Sequence, residues 1–101
     1  MYVIGILMDP IESVNFKTDS TISIINSLQK KARIKLILPD TIFTESNCVY
    51  AKVSDFYIDS LNKRKYKLSN KKIINLNKLD CIFFNSYEGY IKKIYISMAN
   101  G

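Results

Sequence analysis

GILMDPIESVNFKTDST, residues 5 to 21, sets an apolar run against Asp9-Pro10, then a polar stretch, then Asp19-Ser20-Thr21. Read backwards from that break, Tyr2 to Met8 is apolar throughout. This is the pattern of a strand buried on both faces, as in a parallel sheet covered by helices. Proline restricts the residue before it and cannot donate to a ladder, so the strand ends at Asp9-Pro10. Read forwards, a loop runs to about Lys17, and the carboxylate of Asp19 is placed to accept from the first amides of a helix. Ile22, Ile25, Leu28 and Ala32 then recur at helical spacing, with Ile24 widening the stripe. Gln29, Lys30, Lys31 and Arg33 fall towards the far face and the C-terminal end.

The same grammar continues. IKLIL, residues 34 to 38, is a second short strand closed by Pro39-Asp40, so strand, helix and strand form a βαβ unit. TIFTE and CVYAKVSDFYI flank Ser46-Asn47 and predict a hairpin. KLDCIFFNS has a polar lead-in, an apolar centre at Cys81 to Phe84 and a polar exit, as expected of another central parallel strand. In YIKKIYISMAN, apolar side chains at Tyr90, Ile91, Ile94, Tyr95 and Met98 predict an amphipathic helix. The expected class is α/β: a small Rossmann-like domain, its sheet mostly parallel, with flanking helices and a β-hairpin insertion. Ligands of open parallel sheets gather beyond the carboxyl ends of the strands, and a helix N-terminus attracts anions. The segment from Asp9 to Ser20 therefore becomes the candidate ligand-facing loop.

Composition narrows the chemistry. The 101 residues allow one domain, and 48% hydrophobic with 24% charged residues is globular rather than disordered. No apolar run approaches the roughly 20 residues that span a bilayer, and the N-terminus has no basic leader with a small-residue cleavage site, so neither membrane insertion nor secretion is expected. With no histidine, a Ser-His or Cys-His nucleophilic pair cannot be built from this chain. Cys48 and Cys81 are too far apart in sequence for a zinc knuckle or a CxxC redox motif, and a reducing cytoplasmic setting is expected. Much of the net charge of +6 lies in NKRKYKLSNKK, residues 62 to 72. That run reads either as a solvated lysine-rich loop or as a contact to the phosphates of a nucleic acid.

The opening stretch also resembles that of bacterial glutathione synthetases, which reads Gly-Ile-x-Met-Asp-Pro-Ile and then Asn, Lys and Asp-Ser at fixed offsets. Gly5, Ile6, Met8, Asp9, Pro10, Ile11, Asn15, Lys17, Asp19 and Ser20 match in register without a gap. A weaker likeness runs through SLQKKARIKL and returns at LDCIF, where the family has Leu-Asp-x-Ile. The resemblance implies that residues 1–101 are a single pre-ATP-grasp domain, cut short before the ATP-grasp module. Such enzymes join γ-glutamylcysteine to glycine with ATP and magnesium through an acyl phosphate. They are homo-oligomeric, and their nucleotide, metal and most catalytic groups belong to the ATP-grasp part. The resemblance thus implies no catalytic, cofactor-binding or metal residue here, and no ATP or Mg2+ held by this segment alone. It implies a substrate-facing loop of Asp9, Pro10, Asn15, Lys17, Asp19 and Ser20. Where the family carries Arg-Lys-Asp-Pro-Pro-Phe after the Leu-Asp-x-Ile strand, this chain has NSYEGY, residues 85–90. The bidentate carboxylate grip of that arginine is absent.

Read from chemistry alone, Asp9 is either a strand-ending carboxylate bonded to loop amides or a group at the cleft that orients the loop or a ligand amine. Pro10 fixes the exit path, Asn15 and Lys17 are candidate ligand contacts, and Asp19, with Ser20, caps the helix. Two further readings stand beside the ligase domain. One is a basic module binding nucleic acid through Lys63 to Lys72. The other is an interaction subunit that completes a separately encoded ATP-grasp chain.

Overall fold

The computed structural model describes residues 1–85 and 91–94. Tyr2–Leu7 (β1), Ser20–Leu28 (α1) and Ala32–Ile37 (β2) form the strand-helix-strand unit. Phe43–Glu45 (β3) and Cys48–Ser60 (β4) make a hairpin, and Lys65–Leu68 (β5) and Lys72–Asn75 (β6) follow. Cys81–Asn85 (β7) and Ile91–Ile94 (β8) close the described chain.

All eight strands among the described residues join one sheet, in the order β3-β4-β2-β1-β7-β8, with β5 and β6 also paired to β4. β1 lies between β2 and β7 and is parallel to both, with Ile4 opposite Ile34 and Cys81. Every other pairing is antiparallel. The expectation of a mostly parallel, Rossmann-like sheet is therefore corrected: the sheet is mixed, with a parallel centre of three strands. The cause is β4, whose thirteen residues recruit the inserted segments as sheet neighbours instead of releasing the chain to a second helix. Flanking helices are corrected likewise. Among the described residues α1 is the one α-helix, and the remaining helical segments are single 3-10 turns at Ile11–Ser13, Pro39–Thr41 and Leu76–Lys78.

The hairpin forms where expected. Ser46 and Asn47 take φ of 52° and 66°, the two positive values that a two-residue turn of the primed type needs. Phe43 and Tyr50 stack across its strands at 5.3 Å. Two boundaries move. α1 ends at Leu28, and Ala32 opens β2 opposite Tyr2, because strand pairing outweighs one further helical repeat of an alanine. Residues 91–94, expected to be helical, pair antiparallel with Ile82 to Asn85. The apolar-polar-polar-apolar order of IKKI fits neither period decisively, and the unpaired edge of β7 decides it. The rest of that predicted helix lies outside the described residues.

The sheet buries side chains on both faces, as the unbroken apolar reading of β1 requires. Ile4, Ile6 and Met8 face α1, meeting Ile22 and Ile25 together with Ile11, Val14 and Phe16 of the loop. Fully burying each such isoleucine contributes about 1.5–3 kcal/mol. On the opposite face Val3 and Leu7 meet Ile37, Val53, Leu76, Leu79 and Ile82. No helix covers this second face among the described residues; the segment from β6 to β7 does, through Leu76 and Leu79.

Gly5 is what lets that segment come close. A Cβ there would lie 2.7 Å from both Ile37 Cδ1 and Leu79 Cδ1. Next to Leu79, Asp80 grips the start of β1 twice: its carboxylate accepts from Val3 N–H at 2.7 Å, and its own N–H donates to Val3 O at 2.8 Å. The Leu-Asp lead-in thus aligns β7 beside β1 before their ladder begins. Because Ile37 and Leu79 are buried and would have to turn aside, Gly5→Ala is expected to cost about 1–3 kcal/mol, read as a lower denaturant midpoint at unchanged slope. An unchanged midpoint would contradict the close approach.

Candidate functional site

The loop after β1 is stitched down residue by residue. Ser13 N–H and Val14 N–H donate to the carbonyls of Pro10 (2.9 Å) and Ile11 (3.2 Å), making one 3-10 turn. The Ser13 hydroxyl adds a bond to Pro10 O. Asn15 then organises the descent into α1. Its Oδ1 accepts from Lys17 N–H at 2.9 Å, and its carbonyl accepts from Asp19 N–H at 2.9 Å, a side chain and backbone combination favoured by Asx turns. Asp19 Oδ1 accepts from Thr21 N–H at 2.7 Å and Ile22 N–H at 3.3 Å, the N-cap predicted from sequence. Ile11, Val14 and Phe16 turn inwards, while Glu12, Ser13, Asn15 and Lys17 turn outwards.

β1 and β2 are parallel, so their carboxyl ends open on one edge, and there a hollow of about 270 Å³ forms. Met8, Leu36 and Ile37 give it an apolar floor, and Asp9, Glu12, Asp40 and Lys71 bring charge to its walls. β7 points to the same edge, with Phe84 in register with Leu7. The NSYEGY segment begins there at Asn85, and residues 86–90 lie outside the described residues.

The six predicted loop residues separate. Asp9 and Pro10 line this hollow. Asn15 and Lys17 line a second one, of about 410 Å³, between the loop and the turn joining β4 to β5. Asp19 caps α1, and Ser20, exposed, is the first residue of that helix. Asp9 is exposed and makes no side-chain hydrogen bond among the described residues, so its strand-closing reading finds no bonded amide. Among the described residues no group of three acid, cysteine or histidine side chains is placed to hold a metal ion.

Three residues hold this arrangement through long-range bonds that their local sequence does not announce. Gln29 sits at the C-cap of α1, where its side-chain amide donates to Ile58 O and accepts from Ile58 N–H, both at 2.8 Å. It continues the β2 edge past the last pair, Ile34 with Phe56. Asp80 grips β1, as above. Arg64, inside the basic run, donates through Nη2 to the carbonyls of Ile11 and Glu12. Sequence placed Gln29 at the helix end and Asp80 in the Leu-Asp-x-Ile stretch but revealed none of these bonds, since each partner lies 29 or more positions away.

Other cations in the chain are also engaged internally. Lys35 pairs with Asp55 across β2 and β4, and Lys67 reaches Asp59 at 3.9 Å. The Lys35 hydrogen bond holds the Asp55 carboxyl below its ordinary range against partial burial, with help from the charges of Lys72 and Arg33. No helix among the described residues is long and apolar enough to cross a membrane.

The two loop aspartates should respond unequally to truncation. Asp19→Ala is expected to lower stability by about 1 kcal/mol through the lost cap, whereas Asp9→Ala should stay within about 0.5 kcal/mol of the parent. Parallel urea titrations measure both; equal losses would contradict the assignment of Asp19 to structure and Asp9 to the open edge.

Known proteins carry a similar segment. A glutathione synthetase of Buchnera aphidicola subsp. Baizongia pistaciae is 30% identical over 98 residues, covering 92% of this chain and 30% of its own length. One of Wigglesworthia glossinidia brevipalpis is 30% identical over 105 residues, covering 96% of this chain and 31% of its own. The chain thus spans about a third of the length of these curated relatives. The family model described as "Prokaryotic glutathione synthetase, N-terminal domain" matches residues 2–86, most of the sequence, so the chain belongs to that family.

Proposed function

We propose that this chain is the substrate-side N-terminal domain of a glutathione synthetase, folding as one domain and forming one wall of a cleft that an ATP-grasp module closes. The observation that carries this reading is the hollow at the carboxyl ends of β1 and β2. Its place is where open α/β sheets bind ligands. Its lining suits a zwitterionic dipeptide. An ammonium group finds the carboxylates of Asp9, Glu12 or Asp40, a carboxylate finds Lys71, and the floor of Met8, Leu36 and Ile37 accepts an aliphatic or thiol side chain.

γ-Glutamylcysteine carries each of those groups, which is why it is the proposed ligand. Asp9 is the proposed amine contact, being exposed, unbonded among the described residues and placed between β1 and the Pro10 turn. Asn15, Lys17 and Ser20 belong to the outer side of the same loop and act on whatever lies beyond it. ATP with Mg2+ supplies the activation of a carboxylate in this class of ligase. The described residues contain no metal-holding acid cluster, and the sequence has no Gly-rich phosphate cradle. On this reading the part of these residues is to bind and orient the dipeptide, and activation belongs to the ATP-grasp module.

Two measurements test the reading. The purified 101-residue chain is expected to show no ATP-dependent ligation of γ-glutamylcysteine with glycine, and turnover above a blank overturns that expectation. Titrated with the dipeptide, it should show saturable amide shifts centred on Met8 to Glu12 and Leu36 to Asp40, weakened about tenfold in Asp9→Asn. Saturation elsewhere, or no shift in the hollow, removes the assignment of the substrate.

A further inference from the structure

Arg64 stands at the turn between β4 and β5 with φ of 53°, a left-handed conformation that costs any residue with a Cβ and suits glycine or asparagine. A turn alone gives no reason for arginine there. Its side chain does. Nη2 donates to Ile11 O at 3.3 Å and Glu12 O at 3.2 Å, two successive carbonyls of the loop after β1. The guanidinium carbon lies 5.1 Å from the centre of the Phe16 ring, within the range of a cation–π contact. Phe16 in turn stacks on Tyr66 of β5 at 5.6 Å, and Tyr66 leans on Phe56 of β4 at 5.5 Å. The turn is itself braced by Arg64 N–H to Leu61 O.

We infer that Arg64 is a positioning residue: the β4–β5 turn is a clasp whose guanidinium fixes the loop from Ile11 to Phe16, and through it the Pro10 turn and Asp9 at the carboxyl edge. One planar group reaches both carbonyls while lying over the ring, a combination that a point-like ammonium does not reproduce. The functional meaning of the clasp rests on the ligase-domain reading; the clasp itself does not. It also removes Arg64 from the pool of charges open to a nucleic acid.

Amide hydrogen exchange of the whole 101-residue chain, with no ligand present, tests the clasp. Arg64→Gly removes the guanidinium and relieves the turn at once. Amides of residues 11–17 are then expected to exchange at least about tenfold faster, since both charge-assisted bonds, to the Ile11 and Glu12 carbonyls, are lost, while Ile6, Leu36 and Val53 change less than about twofold. The thermal midpoint should hold or rise, since glycine suits the turn. Arg64→Lys keeps the charge and should restore only part of the loop protection. Unchanged loop exchange in Arg64→Gly, equal acceleration of loop and core, or full protection in Arg64→Lys would each overturn the inference. Since dipeptide is absent, these outcomes are independent of whether the hollow binds it.

Discussion

The seating of β1 between β2 and β7 governs the rest of the molecule. Parallel pairing on both sides sends three strands to one carboxyl edge, and the loop and hollow exist only because that edge does. Two local features make the seating possible. Gly5 leaves space for Ile37 and Leu79 to close over the sheet, and Asp80 exchanges two hydrogen bonds with Val3 before the ladder starts. Both act on distant segments, which fits a strand order that contact between chain neighbours alone would not produce. The antiparallel half, built on β4, adds the second side of the hollow through Ser54, Leu68 and Lys71.

The ten matching positions of the opening motif divide by what they touch. Ile6, Met8 and Ile11 are buried, Gly5 permits close packing, and Asn15 and Asp19 hold the descent into the helix. Those six account for themselves by fold. Asp9, Pro10, Lys17 and Ser20 are exposed, and of these Asp9 and Pro10 border the hollow at the strand ends. The motif is thus mostly a specification for a packed and hydrogen-bonded loop, with a small exposed remainder. The loop is held by three inward apolar side chains, an Asx turn, a capped helix and the Arg64 hydrogen bonds behind it.

Much of this was legible in sequence where the signal is local. Asp9-Pro10 ends a strand, Asp19 caps a helix, Ser46-Asn47 turns a hairpin, and Cys81 to Phe84 forms a parallel strand. Each depends on a few adjacent residues. What escaped depends on remote ones. Ala32 continues a helical period but pairs with Tyr2, and Lys72–Asn75 is a strand only because β4 offers it an edge. Residues 91–94 follow β7 for the same reason. Arg64 looks like one more cation in a basic run, and no local pattern reveals that its partners are carbonyls 52 and 53 positions earlier. The mixed character of the sheet is remote in the same way, since strand direction on β4 is a tertiary outcome.

The seating of β1 is open to direct observation through scalar couplings across hydrogen bonds in the isotope-labelled chain. The account requires two reciprocal signals, from the Val3 amide to the Asp80 side-chain carboxyl and from the Asp80 amide to the Val3 carbonyl. Their joint absence, with both amides exchanging as freely as solvent-exposed ones, would mean that β7 does not lie beside β1 and that the carboxyl edge described here does not form.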